Sequence, residues 1–370
     1  MVVAKFVLLF LLAGSVAHGQ EISNKDLGRK ALETTLSYMK SPDSDIRGLA
    51  ADILGQTGNK SAAGVLRKML ADPDKHTRIN AAEALWNLGD PSGLKVVYAV
   101  ISDVPAQGPV GNSPLVELKI ISQNKTREHA IEALARMQDE KAGDMLFNLK
   151  NDNYGSIRDA AARELARLGY SDELTQFLNA LTNEDEAVRF EGASILGKIC
   201  NSDAVEPLKG LLTTEKSMRV RIAALDALKC MSGRRNALPE LLKLADDANP
   251  TIKYKAVCVL SAIPDKKAFE KIKEISGSTK DISLKIAAFK GLIAGGEKPD
   301  AEVLTRAFDS NNQDVKLEAL KALLTVPDAD AKHYLATALE DNSVSVRLGA
   351  ALQILKRFSR TKTQSGAGAR

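Results

Sequence analysis

Three cysteines, four histidines and one tryptophan are spread over 370 residues, and aromatic residues make up only 4% of the chain. So few cysteines exclude a disulfide framework as the source of the fold. The shortage of aromatics argues against a β-sandwich or barrel, whose strands draw on β-branched and aromatic side chains. Charge of one sign is also lacking. Fifty-one basic residues face 47 acidic ones, a net +4 that gives no reason to expect a nucleic-acid binder. No GxSxG, P-loop or CxxC occurs. What is present is a globular composition, 44% hydrophobic and 26% charged, in a chain too long for one ordinary core.

Residues Met1 to Gln20 stand apart. Lys5 precedes an apolar run from Phe6 to about Ala13, and small residues follow at Ala17 and Gly19. A basic end, a short apolar centre and small residues before a cut predict a secretory signal at 1–19, cleaved near Gly19. The run is too short to span a bilayer, and no later stretch is long and apolar enough to do so. The expected product is exported, periplasmic or secreted, with no membrane span.

The rest of the chain repeats. Taking a basic residue as position zero, Arg47 is followed by Ala50, Ala51 and Leu54, and Arg78 by Ala81, Ala82 and Leu85. The same pattern starts at Arg127, Arg158, Arg189, Arg221, Lys253, Lys285, Lys316 and Arg347. Position +3 is never larger than Ala, and position +7 is always Leu or Ile. The steps are 31 or 32 residues, except for one of 49 between Arg78 and Arg127. Offsets 0, 3, 4 and 7 describe one face of a helix. Four residues before the anchor sit cap-forming types such as Asp43, Asp74, Asp185, Asn249 and Asp281. A second amphipathic run precedes each cap, so each unit reads as helix A, a tight turn and helix B. Gly55, Gly58, Gly89, Gly169 and Gly233 fall where helices are expected to end.

The unit resembles the HEAT repeat in the short form of phycobilisome-lyase-like proteins. Asp185 to Ile199 (DEAVRFEGASILGKI) and Ser345 to Leu355 (SVRLGAALQIL) are similar to its second helix, and Asp203 to Leu212 (DAVEPLKGLL) to its first. The resemblance implies an all-α fold: an α-solenoid, a right-handed superhelix of about ten antiparallel helix pairs over residues 20–358. The terminal units are expected to be atypical caps, and the basic, Gly-rich tail 359–370 to be disordered.

Two groups of residues are candidates for a role. Arg47, Arg78, Arg127, Arg158, Arg189, Arg221 and Arg347 read as a structural ladder tying down the A-to-B turns, since an oxygen-bearing residue sits six back from many anchors (Asp72, Asp152, Asn183, Asp247, Asp341). Helix B is expected to line the concave side, where rows +5 and +9 face inward. Those rows give an acidic first third (Asp52, Glu83, Glu132) and then a basic patch of Arg136, Arg163, Arg167 and Lys198, suited to an acidic protein segment. The long step places an insertion at about 102–124. Its apolar residues Leu115, Val116 and Leu118 are a second candidate surface for a partner.

Chemistry has little to work with. Relatives of this fold that hold a di-iron centre carry repeated His-Glu pairs on facing helices, whereas this chain has only the reversed Glu128-His129. His76, His129 and His333 fall in separate units. The expectation is a non-catalytic protein-binding scaffold without cofactor or metal, not an enzyme, and monomeric. The second reading is an accessory or lyase-like protein assisting modification or assembly of another protein, with nucleic-acid binding third. Cys200, Cys230 and Cys258 lie on consecutive B helices and are expected to be free thiols.

Overall fold

The computed structural model describes residues 23–106, 113–138, 141–298 and 300–358. The expected export segment and the expected basic tail lie outside the described residues. Among those residues are twenty α-helices and no strand, arranged as ten pairs. In chain order the pairs are α1 (Asn24–Tyr38) with α2 (Ser44–Gln56), α3 (Ala63–Met69) with α4 (Lys75–Asn87), and α5 (Leu94–Ile101) with α6 (Pro114–Met137). There follow α7 (Ala142–Leu149) with α8 (Gly155–Arg167), α9 (Ser171–Ala180) with α10 (Glu186–Ile199), and α11 (Val205–Thr214) with α12 (Met218–Leu228). The last four pairs are α13 (Leu238–Leu244) with α14 (Pro250–Leu260), α15 (Lys266–Ser278) with α16 (Ile282–Ala294), α17 (Ala301–Phe308) with α18 (Gln313–Leu323), and α19 (Asp328–Ala338) with α20 (Val344–Phe358).

Most B helices start where the sequence places a cap; α6 and α8 begin after Ser113 and Tyr154 without a side-chain cap bond. Asp43 Oδ1 accepts from the backbone N–H groups of Asp45 and Ile46, and Asp74 from Thr77. Asp185, Asn249 and Asp281 do the same for α10, α14 and α16. One such cap contributes about 1 kcal/mol. Gly58, Gly89, Gly169 and Gly233 take positive φ at turns, as helix stops require. Gly55 differs: it lies inside α2, where an added Cβ would sit 2.5 Å from the Ala84 backbone. It permits the close packing of α2 on α4.

The anchor side chains join neighbouring pairs. Arg47 Nη2 lies 2.8 Å from Asp72, Arg127 Nη2 2.6 Å from Asp152, Arg189 Nε 2.6 Å from Glu215 and Arg221 Nη2 2.8 Å from Asp247. In each case the carboxylate belongs to the next unit, 25 or 26 residues on, and precedes that unit's own B helix. The residue six back supplies instead its backbone carbonyl, as Ser41 does to Arg47 and Asn183 to Arg189. Among the described residues, Arg158 has only the carbonyl of Asp152, and the Nε of Arg78 is buried without an acceptor.

The ends of the solenoid meet. Every B helix packs on the next, and α20 packs on both α1 and α2, so the ten B helices form a closed ring. At an interaxial spacing of 8–10 Å such a ring is about 30 Å across, axis to axis. Leu27, Ala31 and Ile53 from the first pair share one buried cluster with Leu348, Ala351, Ile354 and Leu355 from the last. Lys30 pairs with Glu340, and Lys356 Nζ reaches Gln56 Oε1 at 3.0 Å. The terminal units were expected to be atypical caps; instead the first and last pairs pack on one another. The physical need that caps meet, covering the apolar face of an end unit, is met by the opposite end.

A further correction concerns the cysteines. Cys200 and Cys230 form a disulfide with Cα atoms 5.8 Å apart, while Cys258 remains a free thiol. Free thiols were expected because adjacent helix axes stand too far apart. Cys200, however, is not in the helix: it caps α10 in the left-handed conformation (φ 60°) and turns toward the end of α12. The insertion lengthens α6 toward its N-terminus, with Pro114 in the first turn. Leu115 and Leu118 are 78% and 61% exposed, so this extension stands clear of the ring.

Candidate functional site

Rows +5 and +9 of the B helices come together on the inner face of α2, α4, α6 and α8. Arg136, on α6, grips Glu83 of α4 through two hydrogen bonds, 2.6 and 2.8 Å. Arg163, on α8, donates to Glu132 of α6 at 2.7 Å and to Glu164 at 3.2 Å. Arg167 Nε donates to Glu164 at 2.7 Å. Glu164 is 4% exposed, and an ionised carboxyl so buried needs two guanidinium partners.

This pairing changes the reading of the basic patch. Arg136, Arg163 and Arg167 are neutralised by Glu83, Glu132 and Glu164, so the inner face presents an ion-pair network and not a free positive stripe. Lys198, at the exposed end of α10, is the remaining cation of that set. Leu115, Val116 and Leu118 lie apart from this network on the α6 extension.

One carboxyl in the cluster is left over. Asp52 of α2 has no ion pair or hydrogen bond among the described residues, and Glu83, its neighbour across the α2–α4 step, is already spent on Arg136. Burial, with the Glu83 charge added, pushes its carboxyl up to about 7, against a smaller pull from Arg136. Asp52 therefore exchanges its proton near neutrality, as a general acid or base must.

The histidines also converge. His76 of α4 and His129 of α6 stack with ring centroids 5.1 Å apart, their Nδ1 atoms 2.9 Å from one another. Thr126 Oγ1 lies 3.2 Å from His76 Nε2. Burial, then the neighbouring His76 and Arg136, lower His129 to about 4, so its ring is neutral at pH 7. The histidines do fall in separate units, but these two meet across the α4–α6 interface instead of standing alone. Their separation of 53 residues includes the insertion, and the signal that unites them is register: each lies within two residues of its anchor arginine.

The repeat geometry and the chain's own pattern define its class. Family-level comparison agrees: HEAT repeats match residues 32–107 and 144–229 of this chain. Among curated relatives, the deoxyhypusine hydroxylase of Debaryomyces hansenii is 32% identical over 170 residues, 45% of this chain and 49% of that protein. The deoxyhypusine hydroxylase of Candida albicans is 24% identical over 274 residues, 65% of this chain and 81% of that protein. The chain thus spans about half the length of the first of these relatives. A solved complex of CpcE and CpcF of phycocyanin lyase from Nostoc is similar over 41% of this chain and 99% of the matched chain, at 21% identity and a TM-score of 0.32.

The expectation of a non-catalytic scaffold, and of no enzyme, is corrected by these relatives, since both are enzymes. It rested on the lack of a compact catalytic motif in the sequence. A di-iron centre of the kind held by His-Glu pairs does not fit this chain. Among the described residues no group of three or more His, Cys, Asp or Glu is placed to hold a metal, and His76 and His129 face each other without a third ligand.

Proposed function

We propose that this chain is an enzyme that acts on a cationic amine bound at the inner face of the ring, with Asp52 as the carboxylate seat and proton-exchanging group. The observation that carries this reading is the Asp52 carboxyl: half-buried, beside Glu83, and without a cation of its own. Such a group destabilises the empty protein, and perturbed carboxyls of this kind cluster at working sites. An ammonium placed against Asp52 would supply the missing charge. The named substrate of the hydroxylase relatives, deoxyhypusine, is itself an amine.

The partner in this reading is a protein presenting a basic side chain, and the ring works as a monomer, since its first and last helix pairs cover each other. Export is part of the proposal. The pattern of residues 1–19 supports it, as does the Cys200–Cys230 disulfide, because such bonds persist in oxidising compartments. Binding of spermidine and of a lysine-bearing peptide, followed by titration calorimetry at pH 6.5 in two buffers of different ionisation heat, tests the site. Seating an ammonium should expel the Asp52 proton, and Asp52→Asn should bind at least about tenfold more weakly with no proton release. Equal affinity and equal proton release in the variant would remove Asp52 from the reaction.

A further inference from the structure

A cavity of about 540 Å³ opens on the far side of the ring from Asp52, where the C-terminal ends of α14 and α16 meet the start of α15. Its size lies in the range of small-molecule sites. Phe269 and Ile272 of α15, Ile263 and Pro264 of the preceding loop, and Ala294 of α16 give it an apolar wall. The wall exists because glycine stands at the buried position 291 of α16 and at its C-cap, 295. A Cβ on Gly295 would lie 2.2 Å from the Phe269 ring, and one on Gly291 2.4 Å from Ile272 Cδ1, so these side chains lean onto α16.

The polar side of the same cavity is cationic. Arg234, Lys266 and Lys290 line it against a single carboxylate, Asp265, which is held at 2.7 Å by Arg235 outside the cavity. Lys290 is exposed and has no carboxylate partner among the described residues. Arg234 spends Nη1 on the carbonyl of Met231 and Nη2 on that of Ala262, at 2.6 and 3.0 Å, while its Nε is buried without an acceptor. Those two bonds also cancel carbonyl ends that would otherwise repel an anion.

We propose that this cavity binds a single-chain amphipathic anion, such as a fatty carboxylate, with its tail on Phe269 and Ile272 and its head between Lys290 and Arg234. An apolar wall alone would take any hydrocarbon, and cations alone would take inorganic phosphate; the combination selects a ligand with both parts. The site is independent of Asp52 and of the activity proposed there.

Dodecanoate below its micelle concentration is the probe, with dodecyltrimethylammonium and inorganic phosphate as controls, read by titration calorimetry on the exported chain. One dodecanoate should bind per chain, with both controls at least about tenfold weaker. Lys290→Glu, at an exposed position, should weaken dodecanoate by a similar factor, and Ala294→Trp, at the exposed rim, should block it. Unchanged thermal melting of both variants separates loss of the site from loss of the fold. Equal binding of dodecanoate and dodecyltrimethylammonium, unaltered affinity in both variants, or no binding of dodecanoate would overturn the proposal.

Discussion

Arg347, in the last helix, donates from Nε to the hydroxyl of Tyr38, in the first unit, at 2.6 Å across 309 residues, with its guanidinium 5.5 Å from the centre of the Tyr38 ring. Arg347 is the tenth anchor of the repeat. Its nine predecessors have a following unit to bind; it has only the beginning of the chain. Tyr38 therefore stands where the ladder would otherwise end, and the seam is built on the same principle as the internal joints.

The seam can be weighed by mutation. Leu27 is 1% exposed in the shared cluster, and Leu27→Ala should cost about 2–5 kcal/mol. Tyr38→Phe keeps the ring contact and removes one hydrogen bond, for a loss of about 1 kcal/mol. Small-angle scattering of a Leu27→Asp, Leu348→Asp double variant should show a larger radius of gyration as the ring opens. A profile identical to the parent's would mean that the ends hold together without this cluster.

The seam also marks the limit of what the sequence discloses. The ten anchors, their caps and the small residue at +3 specify each helix pair, because those signals act within one turn or one interface. Closure depends on the curvature accumulated over all ten steps, which no local residue encodes. Tyr38 looks like any helix-end tyrosine. The row pattern did bring Asp52, Glu83 and Glu132 onto one face as an acidic third, but not the reach of Arg136 and Arg163 back across the step to neutralise it. Long side chains choose partners by distance between helices, and a row of letters does not contain that distance. Cys200 was misplaced for a narrower reason: its left-handed capping geometry breaks the helical register from which its position was read.

Asp52 and His129 give the inner face a pH signature with opposite signs. The Asp52 folded-state value, about 7, lies above its unfolded value of 3.8, so its contribution to stability is present below pH 4 and is lost as pH rises to 7. His129, lowered from 6.5 to about 4, contributes stability that is present above pH 6.5 and is lost as pH falls toward 4. Asp52→Asn should therefore raise the unfolding free energy at pH 8 by on the order of 2 kcal/mol and lose that advantage by pH 4. His129→Gln should flatten the acid side. Urea unfolding of the parent and both variants at pH 4.5, 6 and 8 supplies the comparison, and a parallel pH profile for Asp52→Asn would show that Asp52 titrates as it does in the unfolded chain.

The disulfide makes a simple chemical prediction. Alkylation of the denatured, unreduced protein should label one thiol, that of Cys258, and three after reduction. Closing a loop of 30 residues in the unfolded chain stabilises by about 3–4 kcal/mol on the chain-entropy account, so Cys200→Ser with Cys230→Ser should lower the melting temperature. Three labels without reduction would mean that the bond does not form in the purified protein.

The ladder is not uniform, and its rungs should fail unequally. Arg127 is 1% exposed and ties the carbonyl of Ile101, Asn124 and Asp152 together at the base of the long α6. Arg127→Ala strands Asp152, which its guanidinium and the Tyr154 N–H hold below the usual carboxylate range despite burial, and should cost about 3–5 kcal/mol. Arg158, whose guanidinium meets only the Asp152 carbonyl at a solvent-facing position, should lose less than about 1 kcal/mol on the same substitution. Arg127→Met, which restores apolar volume but not charge, should fall between the parent and Arg127→Ala unless Asp152 is also changed to Asn, when most of the loss should return. Thermal melting of these four variants decides whether the rung at Arg127 holds α6 in place through its charge or through its bulk, and equal losses for Arg127→Ala and Arg158→Ala would show that burial does not rank the rungs.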